Sequence, residues 1–232
     1  MKLNFCVTAF ILSITSMTPT QAVTSADLSK VHIDSVIPLP ATGMQAIQNN
    51  GQIVFVSANG RFVIRGELTD VWQKKSLTNI NAIKDAATHL HLRSMGLEPN
   101  DLNRVRIGHG GKEVVIFVDP LCPHCHELMK KAETLGDKYT FQFIVIPALG
   151  DESAKLAPAI SCVDEKKALS ALINNQLGSV SQEHCDQQRY KRTLLIGTLL
   201  NVQGVPFIVA PDGRFSQGTP QNLETWLIDG QE

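Results

Sequence analysis

Apolar residues in this chain come mostly in short unbroken runs. Ile53, Val54, Phe55 and Val56 fill the stretch Gln52 to Ser57, and Phe62, Val63 and Ile64 fill Arg61 to Arg65. Val114 to Val118 and Phe207 to Ala210 repeat the pattern, and Phe141 to Ile146 does so around the single polar residue Gln142. A continuous β-branched or aromatic run, bounded by turn residues and too short for a helix, predicts a strand buried on both faces. Ala58-Asn59-Gly60 separates the first two runs, and Asn-Gly between apolar runs predicts a hairpin. From Ser76 to Met95 the period becomes helical. Leu77, Ile80, Ile83, Ala87 and Leu90 recur every three or four residues, Ser76 or Thr78 caps the start, and Gly96 and Pro99 punctuate the end. At ~1.5 Å per residue this helix would hold two β-containing regions on the order of 25–30 Å apart. His89 and His91 lie on it two residues apart, so they face different ways and do not form a metal pair.

The second half of the chain is mixed. Residues 151–198 read as mainly helical, including 168–177 and 189–200, between the strands at 141–146 and 207–210. Gly204-Val205-Pro206 introduces the later strand, Pro211-Asp212-Gly213 turns the chain, and Asn222 to Ile228 closes as an amphipathic helix. Gly108-His109-Gly110-Gly111 reads as a tight turn, because no helix with Lys-Ser/Thr follows to make a phosphate loop. Val23 to about Trp72 reads as a small α+β unit. With one hairpin and few aromatic residues it buries little surface, so it leans on a partner, and an exposed edge strand can pair with a second copy.

The most informative stretch is Val114 to Lys131. Asp119-Pro120 ends the strand, Pro123 is suited to the first turn of a helix, and the residues beyond have helical composition. Cys122 and Cys125 are thereby expected at a helix N-terminus on the end of a buried strand. Unpaired N–H groups and the helix dipole favour an anion there, and the thiolate is the reactive form of cysteine. Cys125 lies one turn on, within reach to resolve a mixed disulfide, and His124 can add positive charge or a donor. Such an arrangement predicts a thiol–disulfide exchange centre.

Composition narrows the setting. A formal net charge of −1 argues against nucleic acid or an anionic membrane surface as the main partner. Lys2 followed by the apolar stretch Phe5 to Ile14 and by Thr20-Gln21-Ala22 reads as an export signal over residues 1–22, with Ala26 as a second possible cleavage point. No other stretch approaches a membrane span. Cys6 falls in the signal, leaving Cys122, Cys125, Cys162 and Cys185 and three possible connectivities. The Cys122–Cys125 pairing is local and leaves Cys162 with Cys185. That second bridge would close a loop of about two dozen residues and add roughly 3 kcal/mol.

The order strand, Cys-x-x-Cys helix, strand, helices, Gly-x-Pro strand, hairpin and final helix resembles a thioredoxin-like domain. More specifically, the chain resembles the bacterial periplasmic disulfide isomerases of the DsbC/DsbG family. The resemblance rests on Phe117-x-Asp119-x-x-Cys122-x-x-Cys125-His126-x-Leu128, on Gly43-Met44 with the Gln52–Arg65 hairpin, Gly66 and Glu67, on the Cys162/Cys185 pair, and on Gly204-x-Pro206. It implies an α+β N-terminal dimerisation domain (23–75), a linker helix (76–96) and an α/β thioredoxin-like catalytic domain with a helical insertion (97–232). It further implies a periplasmic homodimer acting on misfolded, disulfide-containing exported proteins and kept reduced by a membrane protein of the DsbD type, with no cofactor. Cys122, Cys125, His124 and Pro123 would be catalytic, Val205 and Pro206 would bind substrate across a cis bond, and Cys162–Cys185 would be structural. Two positions depart from the family: Pro123-His124 between the cysteines and Val205 before the proline resemble the periplasmic oxidase DsbA. They predict a more oxidising disulfide than is usual for the isomerases.

Other readings compete. Cys122-Pro-His-Cys125-His126 also spells a c-type haem attachment signature, opposed by the strands that fill the core around it. Cys122, Cys125, His184 and Cys185 have zinc-ligand chemistry without zinc-ligand spacing. A chaperone or scaffold in which peptide binding outweighs redox chemistry is a third alternative.

Overall fold

The computed structural model describes residues 33–39 and 43–229. The expected export signal and Cys6 lie outside the described residues. Four strands, β1 (Ser35–Leu39), β2 (Met44–Asn49), β3 (Gln52–Ser57) and β4 (Val63–Ile64), form an antiparallel sheet in that order. Asn50 and Gly51, at φ 48° and 76°, make the tight β2–β3 turn that a right-twisted hairpin favours. At the β3–β4 turn Gly60 has φ 71°, and the Asn59 side chain accepts from the Ser57 hydroxyl and the Arg61 N–H. Only Phe55 of the 53–56 run is buried, because this sheet has one covered face and not two. The expected strand over Arg61 to Arg65 shrinks to two residues, and Phe62, Val63 and Ile64 are all exposed.

The expected 76–96 helix is mostly something else. Residues Lys75–Leu77 are strand β6, paired with β5 (Leu68–Asp70) around a turn in which the Asp70 carboxylate accepts from the Trp72 and Gln73 N–H groups. Helix α1 covers only Ile80–Thr88, capped by Asn79, whose side chain accepts from the Ala82 N–H. Nine residues make a helix about 13 Å long. Beyond it the backbone is extended: His89 bridges to Arg214, and the Leu90 N–H donates to the Gly213 carbonyl. The apolar spacing that suggested one helix serves two cores. Leu77, Ile83 and Ala87 bury with Ile37, Ala46 and Phe55, whereas Leu90, Leu92 and Met95 pack into the other unit.

That unit is thioredoxin-like. Its sheet runs β11 (Phe215–Gln217), β10 (Phe207–Val209), β8 (Lys112–Val118), β9 (Tyr139–Val145), β7 (Arg104–Ile107). The β8–β9 pair is parallel and the others are antiparallel. Parallel neighbours need a crossover, and α2 (Pro123–Thr134) supplies it. Helices α3 (Asp151–Leu156), α4 (Glu165–Ile173) and α5 (Gln188–Leu199) form the expected helical block, and α6 (Leu223–Ile228) closes the unit.

The unbroken runs now have their cause. Val114, Ile116, Val118, Phe141, Phe143 and Ile208 pack on one face with Leu128, Met129 and Leu172. Val115, Phe117, Ile144, Phe207 and Val209 pack on the other with Ile196 and Leu200. Both faces are covered, so Val114 to Val118 and Phe207 to Val209 are apolar at every position. The glycine run does turn the chain, but its requirement is closeness. A Cβ on Gly110 would lie 2.1 Å from the Lys138 backbone, and one on Gly108, at φ +84°, 2.4 Å from the Tyr139 carbonyl oxygen.

Candidate functional site

Three loops meet at one end of the second sheet. The loop after β8 carries Asp119 to Cys122, and the loop after β9, anchored by the Ile146 N–H on the Val118 carbonyl, carries Leu149. The third enters β10, which runs antiparallel to β8 with Phe207 opposite Phe117, so Val205 and Pro206 reach the same end. Their peptide bond is cis.

Cys122 is the N-cap of α2, with extended backbone (φ −81°, ψ 112°), and Pro123 begins the helix, where no N–H is needed. The Cys125 N–H donates to Cys122 Sγ at 3.3 Å, and the thiol lies 3.9 Å from the Val205 carbonyl oxygen. An N-cap whose acceptor is sulfur places that sulfur at the positive end of the helix dipole. Both cysteines are free thiols. Both are buried, Cys122 at 4% exposure and Cys125 at 1%, so the first is the more accessible of the two. Burial and the neighbouring Cys122 side chain push the Cys125 thiol well above the ordinary thiol range.

The other candidates are placed as follows. The His124 ring stands 80% exposed, with Nδ1 3.7 Å from a Glu127 carboxylate oxygen. Val205 is half-buried, packing into the cores on both faces of the sheet, and Pro206 is buried. Cys162 and Cys185, in the helical block, are joined by a disulfide across a sequence separation of 23. This takes Cys185 away from any zinc set with Cys122 and Cys125. His89 and His91 do not face different ways as a helix would have them: the helix ends at Thr88, His89 is extended, and the two rings stack with centroids 6.0 Å apart.

Sequence reasoning missed two members of the site. Asp119 was legible as a strand breaker and as a motif residue, but its carboxylate, 1% exposed, is the hub of the loop cluster. Oδ1 accepts from the Leu121 N–H (2.7 Å) and the Ser153 hydroxyl (2.8 Å), and Oδ2 accepts from the Leu149 N–H (2.9 Å). Nothing local in sequence signals partners 30 and 34 residues away. His126 is a second omission: its Nε2 lies 2.9 Å from the Pro120 carbonyl oxygen and its backbone N–H donates to Cys122, pinning the loop from the helix side.

Residues 16–79 match the family model described as the disulfide bond isomerase protein N-terminal domain. The thiol:disulfide interchange protein DsbC of Escherichia coli K12 is 24% identical over 215 residues, covering 88% of this chain and 86% of the relative. DsbC of Dickeya dadantii is 26% identical over 185 residues, covering 77% of this chain and 73% of the relative. A crystal structure of a disulfide interchange protein from Neisseria gonorrhoeae aligns over 59% of this chain and 99% of its own with 23% identity and a TM-score of 0.46. Residues 16–79 thus match an N-terminal domain of that type, and along most of its length the chain is similar to thiol:disulfide interchange proteins of the DsbC type.

Proposed function

We propose that this protein is a periplasmic thiol–disulfide oxidoreductase that reshuffles non-native disulfides in exported proteins. The observation that carries the reading is Cys122 capping α2 with the Cys125 N–H aimed at its sulfur and the Val205 carbonyl beside it. Cys122 attacks a client disulfide as the thiolate. One client S–S bond breaks, a Cys122–client disulfide forms, and the other client sulfur leaves as a thiolate. That thiolate attacks a second client disulfide, and a client thiolate finally displaces Cys122, so the shuffling involves no net electron transfer.

Cys125 is the escape route. Losing its proton, it attacks Cys122 Sγ and expels the client thiolate; the client gains two electrons and the protein is left with a Cys122–Cys125 disulfide. A thiol held protonated by burial attacks slowly, which leaves a captured client time to rearrange. Pro123 starts the helix, His124 tunes the sulfur from the solvent side, Val205 and Pro206 align the client backbone, and Cys162–Cys185 staples the helical block.

The chain would act as a homodimer joined through its N-terminal domains. The exposed Phe62, Val63 and Ile64 at the edge of the first sheet support that. The leader (1–22) would direct export, with 23–75 dimerising, 76–96 linking and 97–232 catalytic, and a DsbD-type membrane protein would return the active pair to the dithiol. No helix of the described residues is long and apolar enough to cross a membrane.

The test is reactivation of a scrambled, fully oxidised protein: the wild type restores activity without net thiol change, and Cys122→Ser does not. Equal reactivation by both would refute the reading. A second reading, net oxidase, draws on Pro123-His124 and Val205. It requires a potential well above that of thioredoxin, and a value near roughly −270 mV would exclude it.

A further inference from the structure

We infer that the cavity at the junction of the two cores is a binding site for a small uncharged molecule, a compact hydrocarbon body carrying one hydroxyl group. The inference is independent of the proposed exchange chemistry. The cavity has a volume of about 330 Å³. Leu77 and Ala87 line it from the N-terminal core, Leu200 and Phe215 from the thioredoxin-like unit, and His89 and His91 from the extended segment between them. An apolar cavity of about 150 Å³ already takes up benzene, so a volume about twice as large accepts a saturated ring system of roughly ten carbons.

The head group follows from the tautomer of His89. Its Nδ1 lies 3.0 Å from the Thr88 hydroxyl oxygen, 3.2 Å from the Asp85 carbonyl oxygen and 3.4 Å from an Asp85 carboxylate oxygen. The Thr88 hydroxyl donates to the Lys84 carbonyl at 2.8 Å, so it too faces the ring as an acceptor. Three acceptors around Nδ1 place the proton of the neutral imidazole there and leave Nε2 as the acceptor of the ring. The ring is held in place. It stacks on His91 with an interplanar angle of 14°, and His91 lies against Gly213, where a Cβ would come within 2.9 Å of the His91 Nδ1. A hydroxyl can donate to Nε2. A ketone has no proton to offer, and a carboxylate would meet that lone pair together with the negative charge of Asp70, which also lines the cavity. The ligand is therefore a neutral alcohol and not an acid.

The test is calorimetric titration of the full-length protein at about pH 8, where an ordinary imidazole is neutral. Three probes share one skeleton: 2-adamantanol, 2-adamantanone and adamantane-2-carboxylate. The alcohol should bind with a Kd of about 0.1 mM, ordinary for a ligand of about eleven non-hydrogen atoms. The ketone should bind about fivefold more weakly, the share of one hydrogen bond, and the carboxylate about tenfold more weakly or worse. His89→Phe keeps a ring and removes the acceptor, and should bring alcohol and ketone to the same affinity. Ala86→Leu enlarges a side chain that lines the cavity from α1, and should weaken the alcohol about tenfold or more. Leu195→Ser, on exposed α5, is the control and should bind as the wild type does. Absence of alcohol binding, equal wild-type affinities for alcohol and ketone, a tighter carboxylate, or unchanged binding in the Ala86 variant would each overturn the inference. None of these results bears on the exchange function, which is read from disulfide reshuffling.

Discussion

The buried position of Cys125 has a thermodynamic consequence that can be measured without any client. In the folded dithiol, burial and the adjacent Cys122 side chain hold the Cys125 proton more tightly than solvent does. In the unfolded chain the same thiol ionises near pH ~8.5. The folded state therefore binds more protons than the unfolded state above that pH, and stability must fall as pH rises. Below about pH 8 both forms are protonated and the contribution is flat. At pH 9.5 the unfolded thiol is about nine-tenths ionised, which favours unfolding by about 1.4 kcal/mol for this one group. The assay is denaturant unfolding of the reduced protein between pH 7.5 and 9.5, with Cys125→Ser as the reference, which keeps Cys122 and lacks this proton. The reduced wild type should lose about 1.4 kcal/mol more than that reference over the interval. Parallel pH dependences in the two would mean that Cys125 is solvated and ionises normally, and slow resolution would fail with it.

Two further perturbations follow from the same geometry. Asp119→Ala leaves the Leu121 and Leu149 N–H groups and the Ser153 hydroxyl without their acceptor, and should destabilise the fold by about 3 kcal/mol or more in denaturant unfolding. Removing the staple with Cys162→Ala and Cys185→Ala together opens a loop with a separation of 23 residues and should cost about 3 kcal/mol in the same assay, with the Cys122/Cys125 pair still reducing a peptide disulfide in a single turnover.

How much of this was legible in the sequence depended on whether the forces were local. The buried strands at 112–118, 139–145 and 207–209 and the helix from Pro123 follow from unbroken apolar runs, a strand breaker and a helix-starting proline, all within a few residues of one another. The same rule misled at 53–56, where a similar run lies on a sheet with one covered face and only Phe55 is buried. Periodicity misled at 76–96, because Leu77 to Leu90 keep helical spacing while contributing to two separate cores through a strand, a short helix and an extended segment. Strands β1, β2, β5 and β7 were missed: each is short or carries polar residues, and pairing with a neighbour, not composition, makes it a strand. At the site, the cysteines could be named from spacing and the Val205–Pro206 loop from the family resemblance. The Asp119 hub could not, since hydrogen bonds to Leu149 and Ser153 leave no mark on the residues beside it.

The account stands on a division of labour between two sulfurs, and mapping the covalent intermediate tests it most directly. Reduced Cys125→Ser protein, incubated with a peptide disulfide, should accumulate a stable mixed disulfide that mass mapping places on Cys122; reduced Cys122→Ser protein should accumulate none, because the remaining thiol is 1% exposed and held protonated. A mixed disulfide on Cys125, or equal capture by the two variants, would contradict it.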